Sequence, residues 1–401
     1  MKIAYVSQEY PPSLRAGGIA TYLEGIARGM KELGHDVTVI AANDNTREES
    51  DRIEDGIRVI RLKGGSFYIS QAEGGSRLCK VKMLRCLYRF VTYRKRVRQA
   101  VLDYGPFDLI EVAEFGCEGL YLNGLDTPVV YRLHTASLMD HSHPAILPFS
   151  PNRAHIYWQG LKELAVLRKH GRYISSCSKA IKEWTEQVVF GGKRNDIKVI
   201  YNPIRLQKYT HEVFTDDKGK INIFYAGTIC DWKGAGDLYE TGKILYRRNC
   251  GFHLTMAGKT GAFADSLQPQ PWLTMLGKIE RAEVMRHYCD ADVVCFPSWW
   301  ENMPMVCIEA MMCGAIVVGS NSGGMAEIIS DGVDGFLLPP KSPELWADKI
   351  EEVGKLTAKQ KQTISDNARA RIKSSFGIEE IAKQMESFYK KVTSDYERMQ
   401  L

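Results

Sequence analysis

The chain has 401 residues, 44% of them hydrophobic and 25% charged, a composition that excludes a disordered or fibrous protein. This length exceeds one ordinary hydrophobic core and predicts two domains. The net charge of +5 is unevenly placed, because nine basic residues and no acidic residue lie between Arg77 and Arg98, which leaves −4 for the rest. Such a local excess argues against general nucleic-acid binding and favours a local task for the positive charge.

The N-terminus and the cysteines predict a cytoplasmic protein. Met1-Lys2 is followed by only four apolar residues, Ile3 to Val6, before the polar residues that begin at Ser7. We therefore expect no signal peptide. No apolar run approaches the ~18 residues of a membrane-spanning helix. The ten cysteines contain no C-x-x-C pair and are expected to be reduced thiols.

The first forty residues predict a β-loop-α-β unit. Lys2–Val6 has the pattern of a strand, the apolar spacing over Ile19–Leu33 predicts a helix that ends before Gly34, and Val37–Ala41 has the pattern of a second strand. Further strands are predicted at Ile57–Leu62, Phe107–Val112, Pro128–Leu133, Tyr173–Ser176 and Ile197–Ile200. Parallel crossover connections between these strands predict a doubly wound α/β domain over residues 1–204.

The strand-helix pattern restarts after Pro203. Ile221–Ala226 predicts a strand, followed by a glycine-containing loop and a helix from about Gly236. Further strands are predicted at Phe252–Ala257, Trp272–Leu276, Val293–Phe296, Ala315–Gly319 and Phe336–Leu338. The fold class is therefore α/β, with a second doubly wound, Rossmann-like domain over residues 205–377. Two such domains facing across a cleft bind ligands at the carboxyl ends of their strands.

Two glutamates lie directly after the predicted strand Val293–Phe296. Pro304 suits the first turn of a helix, which places Glu301 in the preceding loop and Glu309 inside the helix. A carboxylate on so apolar a helix is costly to bury unless hydrogen-bond donors satisfy it. Sugar hydroxyls are suitable donors, and the free N–H groups at the helix start suit a phosphate. Alternatively, Glu309 pairs with a basic residue on a neighbouring element.

The order of several motifs resembles family 4 of the retaining glycosyltransferases, which have the GT-B fold. Pro297-Ser298-x-x-Glu301, the second glutamate eight positions later, and a Gly323-Gly324 loop occur in sequence. The resemblance extends over nearly the whole chain through Tyr10-Pro11-Pro12 with Gly17-Gly18, Gly34-His35-Asp36-Val37, Ile200-Tyr201-Asn202-Pro203, Ala226-Gly227 through Lys233-Gly234, and Ala291-Asp292-Val293. With this fold, residues 378–401 are expected to form a helix that packs back on the N-terminal domain.

The resemblance implies roles for the matching residues of the C-terminal domain. Glu309 would hold the ribose hydroxyls of a nucleotide, Glu301 the hydroxyls of the donor sugar, and Lys233 would neutralise the diphosphate. Main-chain groups near Met303–Met305 would contact sugar or phosphate. Lys233, Glu301 and His134 are thus implied as the catalytic set.

In the N-terminal domain, the resemblance implies that the backbone of Gly17 and Gly18 approaches the diphosphate. His134, just past the predicted strand Pro128–Leu133, would contact the donor sugar near its reacting carbon. This domain is expected to bind the acceptor.

One position departs from the family pattern. The family usually has Arg directly after the glycine that is Gly227 here, whereas this chain has Thr228. Thr lacks the bidentate fork with which Arg holds phosphate. Lys233 would then carry more of the charge, or Lys259 or Arg281 would substitute, and the sequence leaves this choice open.

The implied reaction breaks a sugar–diphosphate bond with retention of configuration. Negative charge on the leaving group and oxocarbenium character on the sugar are stabilised by fixed cations and helix N–H groups. Lys233 is expected to replace a metal ion, so we expect neither a metal nor another cofactor. The prediction is a retaining hexosyltransferase that uses a UDP- or GDP-linked sugar and a glycan or lipid-linked acceptor in bacterial-type polysaccharide or glycolipid synthesis.

The basic stretch between Arg77 and Arg98 also carries an apolar stripe at helical spacing. One interpretation is a helix that packs on the sheet with a solvated basic face. The other is attachment at the inner face of an anionic membrane, or capture of an anionic lipid-linked acceptor. The residues predicted to make this contact are Arg85, Arg89, Arg94 and Arg96.

Two other functions are disfavoured and two stay open. A nicotinamide-dependent oxidoreductase is disfavoured because no Gly-x-Gly-x-x-Gly leads from a strand into a helix. A nucleic-acid binder is disfavoured because too few aromatic residues accompany the basic stretch. A nucleotide-sugar epimerase and a non-catalytic nucleotide-sugar sensor on the same fold stay open.

Overall fold

The computed structural model describes residues 1–13, 17–44, 48–64, 79–140, 142, 144–206, 214 and 219–400, with the side chains of 79–86 and of 152 outside that description. The chain forms two compact units. Unit one comprises Met1–Asp140, Ala145–Pro203 and Ile378–Leu401, and unit two comprises His141–Pro144 and Ile204–Gly377.

Unit one contains an eight-stranded sheet in the order β3-β4-β2-β1-β5-β6-β7-β8. Its strands are β1 (Lys2–Val6), β2 (Asp36–Ala42), β3 (Ser50–Glu54), β4 (Ile57–Leu62), β5 (Leu109–Ala113), β6 (Val129–Leu133), β7 (Tyr173–Ser176) and β8 (Lys198–Val199). All neighbouring strands are parallel except the β3–β4 pair. All five residues of β5 are buried, as expected for a central parallel strand that is covered on both faces.

Unit two contains a six-stranded, fully parallel sheet in the order β11-β10-β9-β12-β13-β14. Its strands are β9 (Ile221–Ala226), β10 (Phe252–Ala257), β11 (Leu273–Gly277), β12 (Val293–Phe296), β13 (Val317–Ser320) and β14 (Phe336–Leu338). The direction of the strand order reverses between β9 and β12, and in unit one between β1 and β5. A reversal of this kind opens a crevice at the carboxyl ends of the two strands concerned.

The helices cover both faces of the sheets and are numbered along the chain. They are α1 (Gly18–Glu32), α2 (Cys79–Tyr104), α3 (Ala154–His170), α4 (Lys179–Thr185), α5 (Ala235–Arg247), α6 (Ala262–Ser266), α7 (Arg281–Asp290), α8 (Met305–Met312), α9 (Met325–Ile328), α10 (Pro343–Gly354), α11 (Ala358–Phe376) and α12 (Ile378–Gln400). A 3₁₀ segment at Phe115–Tyr121 follows β5. Within the described residues, no helix has both the length and the apolar character needed to cross a membrane.

Helix α12 packs on unit one against α1. A Cβ atom added at Gly29 of α1 would lie 2.8 Å from the Cβ of Ala382, so the two helix backbones approach closely there. The Tyr389 hydroxyl donates a 2.7 Å hydrogen bond to the buried carboxylate of Glu111 on β5. Apolar residues of α12, including Ile381, belong to the hydrophobic core of the sheet.

The predicted α/β fold class with two Rossmann-like domains is confirmed by the two sheets. The predicted strands lie within two residues of their predicted bounds, and the structure adds one strand, β3. β3 was not predicted, because Ser50–Glu54 is a polar, largely exposed edge strand without an apolar alternation. β8 is limited to Lys198–Val199, at the opposite edge of the same sheet.

Candidate active site

In unit two, the loops that follow β9 and β12 lie next to each other at the point where the strand order reverses. The Trp299 backbone N–H donates to the Trp232 carbonyl oxygen at 2.8 Å. Gly234 has a φ of +72°, and a Cβ atom there would lie 2.1 Å from the carbonyl oxygen of Pro297. Glycine is therefore required for the close approach that brings the two loops together.

This approach places Lys233 beside Glu301, as the assignment of both to one site requires. The Lys233 Nζ atom lies 2.5 Å from Glu301 Oε1. The Ser298 hydroxyl donates to the same oxygen at 2.8 Å. Because the exposed fraction is 21% for the Lys233 side chain and 10% for that of Glu301, the ion pair is partly shielded from water. In this structure the two charges neutralise each other.

The loop that carries Glu301 is also held by the Gly323-Gly324 turn after β13. The Gly324 N–H donates to the Glu301 carbonyl oxygen at 2.8 Å. A Cβ atom at Gly324 would lie only 1.8 Å from the carbonyl oxygen of Asn302. The Ser322 hydroxyl donates to the Trp299 carbonyl oxygen at 2.6 Å. The backbone around Glu301 is therefore fixed from two sides.

Trp299 anchors the same loop through its side chain. The indole Nε1–H donates to Asp237 Oδ2 at 2.7 Å, and the Lys341 ammonium lies 3.8 Å from the centre of the ring. Burial raises the pKa of Asp237, and the hydrogen bond from Trp299 lowers it. Asp237, Trp299 and Lys341 were not among the predicted site residues. Trp299 lies two residues before Glu301 and Asp237 lies four residues after Lys233, so their positions in the sequence could have indicated both.

Glu309 lies on α8, whose N-cap residue is Pro304. Its Oε1 atom accepts a 2.6 Å hydrogen bond from Arg281 Nη2, at the start of α7. The structure therefore shows the alternative in which Glu309 pairs with a basic residue. The Arg281 side chain is 54% exposed, whereas the Glu309 side chain is 13% exposed. Burial raises the pKa of Glu309, and the charge of Arg281 lowers it.

Helix α8 begins at Met305, directly behind the Glu301 loop. The Pro304 carbonyl accepts from the Cys307 N–H at 3.0 Å, which closes the first turn. The N–H groups of Met305 and Val306 precede any carbonyl of their own helix to which they could donate. Met303 and Pro304 are buried. The predicted main-chain groups are therefore at a helix N-terminus, where an anion is stabilised.

Gly227 and Thr228 follow β9 at the carboxyl edge of the sheet. A Cβ atom at Gly258, after β10, would lie 1.8 Å from the carbonyl oxygen of Gly227. The Thr228 carbonyl accepts from the Tyr225 hydroxyl at 2.9 Å. The next residue, Ile229, donates its N–H to the carbonyl of Lys259 at 3.0 Å, and the Lys259 side chain is exposed. Lys259 is therefore a neighbour of Thr228.

The chain also contains an Asp-x-Asp sequence, Asp290-Ala291-Asp292. Asp292 exchanges hydrogen bonds with the backbone of Asn222, near the beginning of β9. This sequence therefore lies at the amino edge of the sheet, whereas Lys233 and Glu301 lie at the carboxyl edge.

In unit one, the two glycines and His134 also follow strands at the carboxyl edge. Gly17 and Gly18 are exposed at the start of α1, and a Cβ atom at Gly18 would meet nothing within 4 Å. His134 follows β6, and its ring packs edge-on against Tyr22 with 4.9 Å between centroids. Burial lowers the pKa of His134 well below its usual value, and the charge of Arg132 lowers it further. His134 is therefore neutral at pH 7.

The prediction that Arg94 contacts a membrane or an anionic acceptor is wrong. Arg94 is 1% exposed, and its guanidinium donates to the carbonyl oxygens of Gly116, Cys117 and Phe90. The core-facing stripe of α2 includes Phe90 and Val97, at positions that share a helical face with Arg94, which explains its burial.

The other members of the predicted basic contact differ from one another. Arg96 forms an ion pair with Glu49, so part of its charge is neutralised within the protein. Arg89 is half-buried. The Arg85 side chain and all of Arg77 lie outside the described residues.

Two family models match adjoining parts of the chain. Residues 16–208 match Glycosyltransferase Family 4, and residues 207–371 match Glycosyl transferases group 1. The chain belongs to the family 4 glycosyltransferases.

Relatives of this glycosyltransferase match over most of its length. An uncharacterised glycosyltransferase of Methanocaldococcus jannaschii is 25% identical, over 97% of this chain and 98% of the relative. A glycogen synthase of Mycobacterium tuberculosis is 25% identical, over 88% of this chain and 86% of the relative.

Solved structures share the fold at lower identity. The sucrose-phosphate synthase from Thermosynechococcus elongatus has a TM-score of 0.78 and 19% identity, over 98% of this chain and 99% of that chain. Anabaena HepE in complex with UDP and glucose has a TM-score of 0.67 and 19% identity, over 98% of this chain and all of that chain. The GT-B fold of this glycosyltransferase is thereby established.

Proposed function

We propose that this glycosyltransferase is a retaining, metal-independent hexosyltransferase. It moves a hexose from a UDP- or GDP-linked sugar to a glycan or lipid-linked acceptor in polysaccharide or glycolipid synthesis. The observation that carries the proposal is the arrangement of Lys233 and Glu301 beside the N-terminus of α8, with Glu309 one turn further along that helix. The pair supplies a cation and a carboxylate at the edge of a sheet where nucleotides bind in such folds.

Each group of the unit-two site has a part in the reaction. The bond between the anomeric carbon and the diphosphate oxygen breaks, and negative charge grows on that oxygen. The Lys233 ammonium and the free N–H groups of α8 stabilise this charge. Glu301 accepts from the sugar hydroxyls, and Glu309 accepts from the ribose hydroxyls once the donor replaces their present cationic partners.

Retention of configuration requires that the acceptor oxygen bonds to the anomeric carbon on the face the phosphate leaves. The leaving phosphate takes the acceptor proton, so no protein general base is needed. His134 is neutral, so it can interact with the sugar near the reacting carbon without adding a positive charge beside the developing oxocarbenium ion. The exposed backbone of Gly17 and Gly18 allows a diphosphate to approach.

Lys259 is the residue we propose in place of the missing Arg at Thr228. Its backbone is hydrogen-bonded to the residue after Thr228, and its exposed ammonium can turn toward a phosphate. Lys259→Gln should therefore weaken nucleotide binding more than Lys278→Gln, an exposed lysine that follows the neighbouring strand β11.

Binding of the donor is tested by thermal unfolding with UDP, GDP, ADP and NAD, each with and without EDTA. A ligand at ~100 times its Kd stabilises the native state by about 2.7 kcal/mol, which is readily measured. We expect one of UDP and GDP to stabilise the protein, EDTA to change nothing, and Glu309→Ala to abolish the shift. Stabilisation by NAD alone, or by none of the four, would contradict the proposal.

Turnover separates the transferase from its alternatives. Release of the nucleoside diphosphate that depends on an acceptor, with retained configuration in the product, supports the transferase. Conversion of the donor sugar without an acceptor would indicate an epimerase. Binding without any turnover would indicate a sensor.

We also propose that the protein works at the inner face of a membrane, through the basic part of α2. Arg94 is buried and cannot take part, but Arg89 and the exposed Lys95 can contact a membrane. They lie near Tyr88 in the sequence of the helix, and Tyr88 is 71% exposed. Basic and aromatic side chains together favour the surface of an anionic bilayer. Arg85→Glu with Arg89→Glu should reduce binding to vesicles of anionic lipid, whereas Lys373→Glu on α11 should not. Equal binding by both variants at low salt would refute the membrane contact.

A further inference from the structure

Two buried carboxylates of unit one hold the segment His134–Ser137, which follows β6. Glu114 is the first residue after β5, and Glu163 lies on α3. They are 4% and 1% exposed, respectively. Neither residue belongs to the predicted site.

Glu114 binds the beginning of this segment. Its two carboxylate oxygens accept from the His134 N–H at 2.7 and 2.8 Å, and Oε1 also accepts from the Thr135 N–H at 2.5 Å. A further bond from the Phe115 N–H reaches the same carboxylate. The carboxylate therefore fixes the backbone of the histidine itself.

Glu163 binds the end of the segment. Its Oε2 atom accepts from the Ser137 N–H at 2.7 Å, and its Oε1 atom accepts from the Ser137 hydroxyl at 2.7 Å. Oε1 also accepts from the Gly116 N–H at 2.7 Å and from Gln159 Nε2 at 2.9 Å. Glu163 thus ties α3, the 3₁₀ segment after β5 and the His134–Ser137 segment together.

Helix α3 packs closely against the chain that follows this segment, because residue 160 is a glycine. A Cβ atom at Gly160 would lie 2.3 Å from Leu138 Cγ, so any larger residue would move the helix away from the chain around Ser137. Glu163 lies three residues further along α3, on the same side of the helix. The close packing at Gly160 brings the Glu163 carboxylate within reach of the segment.

The partners of both carboxylates are hydrogen-bond donors. A carboxylate accepts at both oxygens, whereas a glutamine in the same position would turn an NH₂ group toward N–H donors. Burial of a carboxylate is costly, so its presence calls for a compensating gain. Hydrogen bonds to the His134 and Thr135 N–H groups at one end and to the Ser137 N–H group at the other fix the backbone of the segment.

We propose that Glu114 and Glu163 are positioning residues for sugar transfer, which fix the backbone of His134 so that its ring is held in place against the donor. This inference rests on the proposed role of His134. The two glutamates touch no substrate and act through the segment that they bind. A displacement of about 1 Å in a group at a reacting centre can cost ~100-fold in rate.

The test compares Glu114→Gln and Glu163→Gln with Glu186→Gln. Glu186 is a matched control, because it is a buried carboxylate of unit one that accepts a backbone N–H, from Arg194 at 2.8 Å, but does not touch the His134 segment. The readout is release of the nucleoside diphosphate from the donor identified by thermal unfolding. We expect Glu114→Gln and Glu163→Gln to lower kcat by ~10- to 100-fold, with the donor KM within about threefold of wild type. We expect Glu186→Gln to leave both parameters unchanged.

A double-variant cycle with His134→Ala separates positioning from general stability. If Glu114 acts through His134, Glu114→Gln should lower kcat in the wild-type background and have no further effect in the His134→Ala background. Equal losses in the two backgrounds, or no loss in the wild-type background, would overturn the inference and leave the role of His134 standing. Full activity of His134→Ala would overturn the role of His134, and the inference with it.

Ser137→Ala covers the case in which a glutamate variant does not fold. It removes one hydroxyl donor from Glu163 and leaves the carboxylate with its backbone partners. We expect a loss of kcat of ~2- to 5-fold, absent when His134 is alanine. An undiminished kcat in Ser137→Ala, with Glu114→Gln folded and fully active, would contradict the proposal.

Discussion

Replacement of Gly324 by alanine should displace the loop that carries Glu301 without removing any functional group. The added Cβ atom would lie 1.8 Å from the Asn302 carbonyl oxygen and 2.7 Å from its carbonyl carbon. Real Cβ atoms essentially never approach another heavy atom closer than 3.0 Å, so the Gly324 turn and the loop must separate by at least 1.2 Å. Gly324 has a φ of −67°, which suits alanine, so the effect is one of contact and not of backbone strain.

The displacement acts on the site directly, because the Gly324 N–H is bonded to the carbonyl of Glu301 itself. A shift of this size at a reacting centre predicts a loss of ~100-fold in kcat/KM, which is about 2.7 kcal/mol of transition-state stabilisation. Overpacking of the turn should in addition lower the free energy of unfolding by about 1–3 kcal/mol. The first quantity is measured by nucleoside diphosphate release and the second by urea unfolding.

Gly261→Ala is the matched control for this prediction. Gly261 lies in the same unit with extended backbone, and a Cβ atom there would meet nothing within 4 Å. We expect this variant to keep wild-type activity and stability. If Gly324→Ala is as active as Gly261→Ala, the fixed loop is not needed for catalysis and the reasoning fails.

Three further predictions concern single side chains. Trp299→Phe removes the indole donor of the half-buried Asp237 and should lower the free energy of unfolding by about 1–3 kcal/mol, whereas the exposed Tyr246→Phe should not; an unchanged urea midpoint for Trp299→Phe would argue against the anchor. Burial raises the pKa of Glu309 above its value in the unfolded chain, so the stability that this group contributes is fully present below the unfolded pKa and is lost as the pH rises through the folded pKa. In urea titrations, the free energy of unfolding of Glu309→Gln relative to wild type should therefore increase from pH 4.5 to pH 8. A pH-independent difference would refute this. Because the pKa of His134 is lowered well below 6.5, His134→Ala should reduce kcat/KM by the same factor at pH 6.5 and pH 8.0, and a loss confined to the lower pH would show that the protonated imidazole is the active form.

The buried apolar strands and the long helices were predictable from the sequence, because their residues repeat with the period of the element. Lys2–Val6 and Val293–Phe296 were predicted with the bounds that the structure has. The edge strand Ser50–Glu54 was not, since both of its faces carry polar residues and the strand is defined by its pairing with β4.

Side-chain partners were less predictable, because they depend on contacts between distant parts of the chain. The motif order indicated Lys233 and Glu301, which the structure brings together, but not the bond of Arg281 to Glu309. The burial of Arg94 could have been predicted, since Phe90 and Val97 lie four residues before it and three after it on one helical face, but the prediction considered only the sign of the charges. Glu114 was passed over because its partners are backbone N–H groups, which every residue type except proline provides.

The packing of α12 on unit one has a consequence for the order of folding during synthesis. Tyr389 and Ile381 complete a core whose sheet is made from residues synthesised about 180 or more positions earlier. The ribosome therefore releases every residue of the unit-two sheet before α12, which packs on the unit-one sheet, emerges. Unit two can fold as soon as Gly377 is available, whereas unit one must wait with an apolar face uncovered. A fragment that stops at residue 377 should accordingly aggregate through unit one, and addition of α12 as a separate peptide should rescue it.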